Sequence, residues 1–446
     1  MLIEFSFKNY RSFRDQAVLS MEAVGLGAFK SSVMEINNLK LLRGAAIFGK
    51  NGGGKSNVIR AFWLAVQFIR NAQRTQHEKA EIPVNPFALN DYSEKQPTEF
   101  SFVYILDGIK YWYSFSATRK RVVSESLYHA PKGQKAIVFT RENQKFTFTE
   151  SKSKRTMISE AVAENQLFFS VACTMNDKAC VNAMRWFREF IYFSRDYTDI
   201  PAQLLEYAED QNMLKAISDY AKEADFGIEN MKFEFNNQEI DEDKALVSDI
   251  PDGIKAMLLD FKKALSAMNN ESEVNLRVGQ VTAKSEHYGI DQNGNQQRYV
   301  VELSDESDGT RRLMSYAPAI ESVLSKGGLL LVDELEKELH PMLVNFIISK
   351  FQSCQSNTKG AQIIFTTHNT DLMNLEFLRK DQIYLVDKKR GDGVSELYSI
   401  ADFNTKTGDN IRKGYLLGKY GGVPDVEPEE VGQWPEEQAT DLPKRS

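Results

Sequence analysis

The sequence predicts an α/β fold in which a parallel sheet covered by helices is joined to an antiparallel β-lobe and interrupted by a helical insertion. Three observations predict it. Short apolar strands alternate with helical stretches at residues 41–70 and again beyond residue 328, and unbroken apolar strands are those buried on both faces. Between residues 98 and 150 apolar and polar residues alternate around Asp107-Gly108, a strong two-residue hairpin turn. Over residues 155–270 the apolar spacing changes to three and four, the period of helices.

Taken in order, Ile3, Phe5 and Phe7 alternate with polar neighbours as in a half-buried strand. Residues 41–48, LLRGAAIF, form an apolar run of strand length that ends in a glycine-rich turn. A helix follows from Asn57 to Arg70, with Val58, Ile59, Phe62, Leu64, Ala65 and Phe68 at helical spacing. Phe100, Phe102 and Tyr104, then Tyr111, Tyr113 and Phe115, make a hairpin, and a second is predicted over residues 135–150. Helices are predicted in SEAVAENQLFFSVACT, NAMRWFREFIYF, PAQLLEYAEDQNMLKAISDYAKEA and PDGIKAMLLDFKKALSAM. Strands return over residues 274–304 with a turn at Asn293-Gly294. LLLVDE, AQIIFTTH and QIYLVDK are strands, with the helix PMLVNFIISKFQSC between the first two.

The expected organisation is thus one core split in two. Residues 1–150 hold its N-terminal half with the β-lobe, 151–273 the helical insertion, 274–424 the C-terminal half, and 425–446 a disordered acidic tail. The insertion is too short and too interrupted for a long coiled-coil arm.

Composition narrows the class. With 42% apolar and 26% charged residues in 446, the chain is globular rather than fibrous or disordered. A net charge of −7 argues against a generally basic nucleic-acid coat, although a local basic groove depends on where the charge sits. Cys173, Cys180 and Cys354 are few and odd in number, which suggests reduced thiols, and no His or Cys stands near the first two to build a zinc site. The N-terminus lacks the pattern of a signal peptide, and no apolar run reaches membrane-spanning length. A soluble, cytoplasmic protein with no membrane partner is expected.

Residues 49–56 read Gly49-Lys50-Asn51-Gly52-Gly53-Gly54-Lys55-Ser56 and match the phosphate-loop pattern G-x-x-x-x-G-K-[ST] in full. Glycines let the backbone wrap an anion and aim several N–H groups at it. The helix that starts here adds the positive end of its dipole. Lys55 can reach the terminal phosphates of ATP, the Ser56 hydroxyl can ligate Mg2+, Asn51 can meet the γ-phosphate or its water, and Asn57 continues the binding segment. The apolar strand before the loop and the helix after it are the context the motif requires.

Leu329 to Glu334, LLLVDE, is an apolar strand that ends in two acids. Such a strand delivers Asp333 to the edge where Mg2+ sits and sets Glu334 to polarise an attacking water. Shortly upstream stands Ser307-Asp308-Gly309-Thr310-Arg311-Arg312, and downstream His368 ends the strand IIFTT.

With these companions the sequence resembles the ABC-type ATPase heads of the SMC/RecF/OLD group, within them the AAA_15/AAA_21 "ATP-binding protein" families. ESDGTRRL resembles their signature, with Ser307 and Gly309 in its key positions, and LEKELHP resembles the D-loop region. NYRSF, ENQLFFSVACTMN, GAQIIFTTHNTDLM and KGYLLGKYGGVP extend the match over nearly the whole chain. The resemblance implies an ABC-ATPase head that pairs head-to-tail as a homo-oligomer. Each ATP would lie between the phosphate loop of one protomer and Ser307, Gly309 and Arg311 of the other. His368 would sense the γ-phosphate, and Arg11 would approach the nucleotide. A serine and a glycine amide at a helix start can bind phosphate oxygens, which agrees.

The remaining residues weigh less. His340 reads as structural, and His287 beside a strand reads either way. No convincing Q-loop glutamine stands out; Gln96 lies in a polar loop. Tyr111, Trp112, Tyr113 and Phe115 at strand spacing suit packing better than base stacking, and Lys152, Lys154 and Arg155 suit a solvated basic loop.

The family includes RloA-like proteins and the ATPase component of PARIS-type antiviral systems. By that resemblance the chain is a slow ATPase that acts as a switch in bacterial antiphage defence, controls a separately encoded nuclease-like effector and answers a phage protein trigger. The residues after His368 lack an acidic D-x-D cluster, so DNA cutting is expected in trans. The alternative is a RecF/SMC-like repair ATPase that binds nucleic acid with ATP. The helical insertion and the divergent ESDGT argue against a transporter subunit.

Overall fold

The alternating N-terminal residues form β1 (Leu2–Lys8), followed by β2 (Ala17–Ser20), β3 (Val33–Ile36), β4 (Leu39–Leu42) and β5 (Gly44–Gly49). The structure, a computed structural model, describes residues 1–25, 32–75, 80–194, 200–225, 227–239, 277–375, 378–405 and 409–423. The glycine-rich loop after β5 opens α1 (Lys55–Thr75). Then come the hairpin strands β6 (Thr98–Leu106), β7 (Ile109–Ala117), β8 (Val122–Ala130), β9 (Ala136–Glu142) and β10 (Lys145–Phe148). The middle holds α2 (Lys152–Glu160), α3 (Phe168–Thr174), α4 (Lys178–Glu189), β11 (Ile191–Phe193), α5 (Ile200–Leu205) and α6 (Gln211–Ala224). It ends in β12 (Ile228–Glu239), β13 (Arg277–Ile290) and β14 (Gln296–Glu302). The C-terminal part is α7 (Asp308–Lys326), β15 (Leu329–Val332), α8 (Pro341–Gln352), β16 (Gln362–Thr366), β17 (Ile383–Lys388), β18 (Ser395–Ser399) and α9 (Ile411–Leu416).

Two large sheets result. One is antiparallel, in the order β10-β9-β8-β7-β6-β1-β2; the other runs β11-β15-β16-β5-β17-β18. Within the second all neighbours are parallel except β17 and β18. The expected α/β head with an antiparallel lobe is therefore the observed fold class. Its parallel strands are apolar throughout because each feeds two cores. Ala45, Ile47, Leu329, Leu331, Ile364 and Val386 face α1 and the lobe. Ala46, Phe48, Leu330, Val332, Ile363 and Phe365 face α6, α7 and α8. Phe62 of α1 packs on Phe5 and Phe102 of the lobe, with ring centroids 4.6 and 5.2 Å away. Helix α1 is thus the filling between the two sheets, and that packing sets the place of its N-terminus.

The helices of the middle stretch divide between the two cores. Phe168, Phe169, Trp186 and Phe187 of α3 and α4 join the core of the lobe, whereas Leu214, Ile217 and Tyr220 of α6 join the second core. Strand β12 falls inside the stretch expected to be helical. Met231, Phe233 and Phe235 alternate there, and pairing with β13 realises the period of two. The helix expected over residues 251–268 and the acidic tail from Asp425 lie outside the described residues. Tyr111, Tyr113 and Phe115 are buried, in keeping with packing. The expected solvated loop at Lys152–Arg155 is instead the first turn of α2. There Arg155 is 3% exposed and pairs with Asp177 at 2.9 Å. Among the described residues no helix is long and apolar enough to cross a membrane.

Candidate nucleotide site

The loop between β5 and α1 is built from close approaches that exclude side chains. At Gly49, φ is 150°, and a Cβ would stand 2.3 Å from the Val386 carbonyl of β17. At Gly54, φ is 116°, and a Cβ would stand 2.8 Å from the hydroxyls of both Ser12 and Ser395. Those two positions need glycine. The loop is clamped from outside as well. Asn57 donates to Ser12 Oγ at 2.9 Å, Ser395 Oγ donates to the Gly53 carbonyl at 2.6 Å, and Lys50 pairs with Asp387 at 3.0 Å. Asn51 and Gly52 are left exposed at the tip. Ser56 follows Lys55 in the first turn of α1.

Lys55 is 6% exposed. Its amine folds back to donate to the carbonyls of Gly49 at 2.8 Å and Lys50 at 3.3 Å, and lies 3.5 Å from His368 Nδ1. Burial pulls its pKa below the usual lysine value, while the carboxylates of Glu334, Glu336 and Asp333 oppose that pull. The acids after β15 and the histidine after β16 therefore converge on the lysine of the loop.

A small network orients them. Thr366 Oγ1 donates to Asp333 at 2.7 Å and accepts from the Glu334 N–H at 2.7 Å. Glu334 is exposed and sits in the left-handed region, with φ 54°, which is strained for a non-glycine residue. The His368 N–H donates to the Glu336 carboxylate. The other oxygen of Glu336 is buried without a hydrogen-bond partner among the described residues.

The other predicted residues lie apart from this centre. Ser307 caps α7, accepting from the Thr310 N–H at 3.1 Å, and Arg311 pairs with Asp308. A Cβ on Gly309 would stand 3.1 Å from the Glu338 carbonyl. None of these described contacts reaches residues 49–56. Arg11 adjoins Ser12, but its guanidinium rests on Tyr10, with Nε 3.2 Å from the hydroxyl. His340 caps α8, accepting from the Met342 N–H. Gln96 meets Asn9 through its backbone carbonyl. Sequence reasoning missed Ser12, Ser395, Asp387, Thr366 and Glu336. Ser12 lies within NYRSF, Thr366 two places before His368, and Glu336 two places after Glu334. Ser395 and Asp387 carry no local signal.

Fold and site together define an α/β phosphate-loop protein with an antiparallel lobe. Residues 45–374 match AAA_21, described as "AAA domain, putative AbiEii toxin, Type IV TA system". The chain belongs to that family. No curated protein matches it in sequence. Solved structures overlap it loosely. The SMC head domain from Thermotoga maritima is 14% identical, with 89% of this chain and 98% of that one covered and a TM-score of 0.36. An SmcHead bound to the C-winged helix domain of ScpA is 12% identical, covering 89% and 97%, with a TM-score of 0.38. The recombination mediator protein RecF with ATP is 13% identical, covering 89% and 99%, with a TM-score of 0.37.

Proposed function

We propose that this chain is an ATP-dependent switch that binds ATP at the loop 49–56 and hydrolyses it slowly. The observation that carries the reading is the convergence on the Lys55 amine of Asp333, Glu334, Glu336 and His368 behind a full phosphate-loop motif. In this reading the loop amides from Gly49 to Ser56 cradle the phosphates, and Lys55 exchanges its two carbonyl contacts for phosphate oxygens. Glu334 takes a proton from the attacking water, and His368 donates to the γ-phosphate oxygen. Ser56 and Asp333 suit Mg2+, which keeps several waters and needs only one or two carboxylates from protein. Thr366 already holds Asp333 in one orientation. When bound, Mg2+ would neutralise phosphate charge.

Ser307, Gly309 and Arg311 would act on the ATP of a second protomer, which accounts for their lying apart from their own loop. The finer role is a switch in antiphage defence that restrains a separately encoded nuclease-like effector until a phage protein triggers it. The toxin and TA system in the family's description support a two-component arrangement. A second reading, ATP-dependent nucleic-acid binding, is favoured by one feature. An open groove lined by Trp63, Tyr192, Arg188 and Lys326 mixes aromatic and cationic side chains.

The test is binding of a fluorescent ATP analogue to wild type and to Lys55→Ala, with phosphate release measured in parallel. The reading requires saturable, Mg2+-dependent binding that Lys55→Ala abolishes; equal binding by both chains would refute it. Co-purification with the product of the neighbouring gene tests the effector, and salt-sensitive DNA binding that needs ATP favours the second reading.

A further inference from the structure

Directly before the signature serine, Glu306 is 8% exposed, although its neighbours Asp305 and Ser307 are exposed. Its carboxylate turns inward to β13. The hydroxyl of Ser285, itself fully buried, donates to it, and His287 Nε2 stands 2.8 Å away. A carboxylate only accepts, so that nitrogen carries the proton. The opposite edge of the imidazole meets the turn between α6 and β12, where a Cβ on Gly227 would stand 3.2 Å from Nδ1. The ring thus lies between that turn and the lead-in to α7. One residue on, Ser307 caps α7, and Gly309 packs on the Glu338 carbonyl of the segment that follows Glu334. The signature is therefore tethered to the three-stranded sheet β12-β13-β14 through Glu306, and at Gly309 it runs close to the acidic turn.

We infer that His287 and Glu306 are positioning residues that set Ser307, and that the β12–β14 sheet thereby governs assembly of the composite ATP site without changing the nucleotide affinity of the separate chain. This rests on the nucleotide reading above. The physical reason is local. Glu306 and Ser307 share a peptide bond, so the buried hydrogen bonds of the first fix the direction of the second. Loss of the imidazole leaves a buried carboxylate short of a donor, which is expensive enough to move the segment.

The experiment compares His287→Ala, His287→Gln and Glu306→Gln with wild type. It measures fluorescent-ATP affinity, phosphate release and ATP-dependent pairing by light scattering. His287→Ala and Glu306→Gln should bind nucleotide within about twofold of wild type while turnover and pairing fall roughly tenfold or more. His287→Gln, whose amide keeps a donor at the same reach, should recover most of both. Mixing His287→Ala with Lys55→Ala chains should restore turnover, since one composite site of the mixed pair is then intact; a fold defect would not be rescued this way. Wild-type turnover in His287→Ala overturns the inference, as does a parallel loss of affinity without rescue by mixing. A wild-type chain that binds nucleotide but neither pairs nor turns it over also overturns it. A wild-type chain that binds no nucleotide overturns the nucleotide reading itself.

Discussion

The Lys55 amine lies 3.5 Å from Nδ1 of His368, two residues separated by most of the chain and brought together by the pairing of β5 with β16. An ammonium only donates, so in this contact Nδ1 is the acceptor and Nε2 is the nitrogen that carries a proton. That leaves Nε2–H free to donate to a phosphate oxygen. His368→Ala should keep nucleotide binding and lose roughly a hundredfold in turnover, the usual effect of removing one donor to developing charge. Phosphate release and fluorescent-ATP titration, run side by side, check the split. A matched loss of affinity would instead make His368 a ground-state contact.

Glu334 should behave differently from its neighbour Asp333. It is exposed and held at a left-handed φ, with its N–H tied to Thr366, so its carboxylate is free to meet water. Glu334→Gln removes the proposed base while keeping size and shape. Turnover should drop by about 10²–10⁴, with ATP retained and the paired form accumulating in light scattering. Wild-type turnover in this variant would exclude Glu334 as the base.

Gly54 offers a test of the loop itself. Its φ of 116° and the 2.8 Å approach of the Ser12 and Ser395 hydroxyls leave no room for a methyl. Gly54→Ala should destabilise the protein by about 1–3 kcal/mol in urea denaturation and abolish nucleotide binding. The partners come from both ends of the chain, so Ser395→Ala, which frees only one hydrogen bond to Gly53, should weaken binding without abolishing it.

The parts of this molecule legible in its sequence are those whose signal is local. Gly49 to Ser56 are contiguous, and the strand that delivers Asp333 and Glu334 is four apolar residues long, because two cores meet on it. The clamps were not legible. Ser12 and Ser395 meet across the loop only after the lobe and β18 have folded against it, and Asp387 reaches Lys50 from the end of β17. Glu306 sits beside Ser307 in the same short motif, yet its use is set by His287 on another element. In β12 the period of two set by Met231, Phe233 and Phe235 is masked by the charged residues between them.

Asp177 supplies a prediction about stability and pH. Its carboxylate caps α4 by accepting from the Cys180 N–H at 3.1 Å and pairs with Arg155, both side chains being almost fully buried. Burial alone would push its pKa up, but the Arg155 guanidinium and the Cys180 amide outweigh it and hold the carboxyl below its ordinary value. Unfolded, it titrates at about 3.9. The folded form binds its proton less readily, so the stabilisation is complete above that pH and disappears as the pH falls through the lowered folded value. Asp177→Ala strands a buried guanidinium that, among the described residues, keeps only the carbonyls of Val138 and Glu150, a loss of about 3 kcal/mol. Asp177→Asn keeps a capping oxygen and should lose less at neutral pH, while the fall in its urea midpoint from about pH 6 to about pH 3 should be shallower than in wild type. A parallel acid limb in the two proteins would show that Asp177 does not titrate with unfolding.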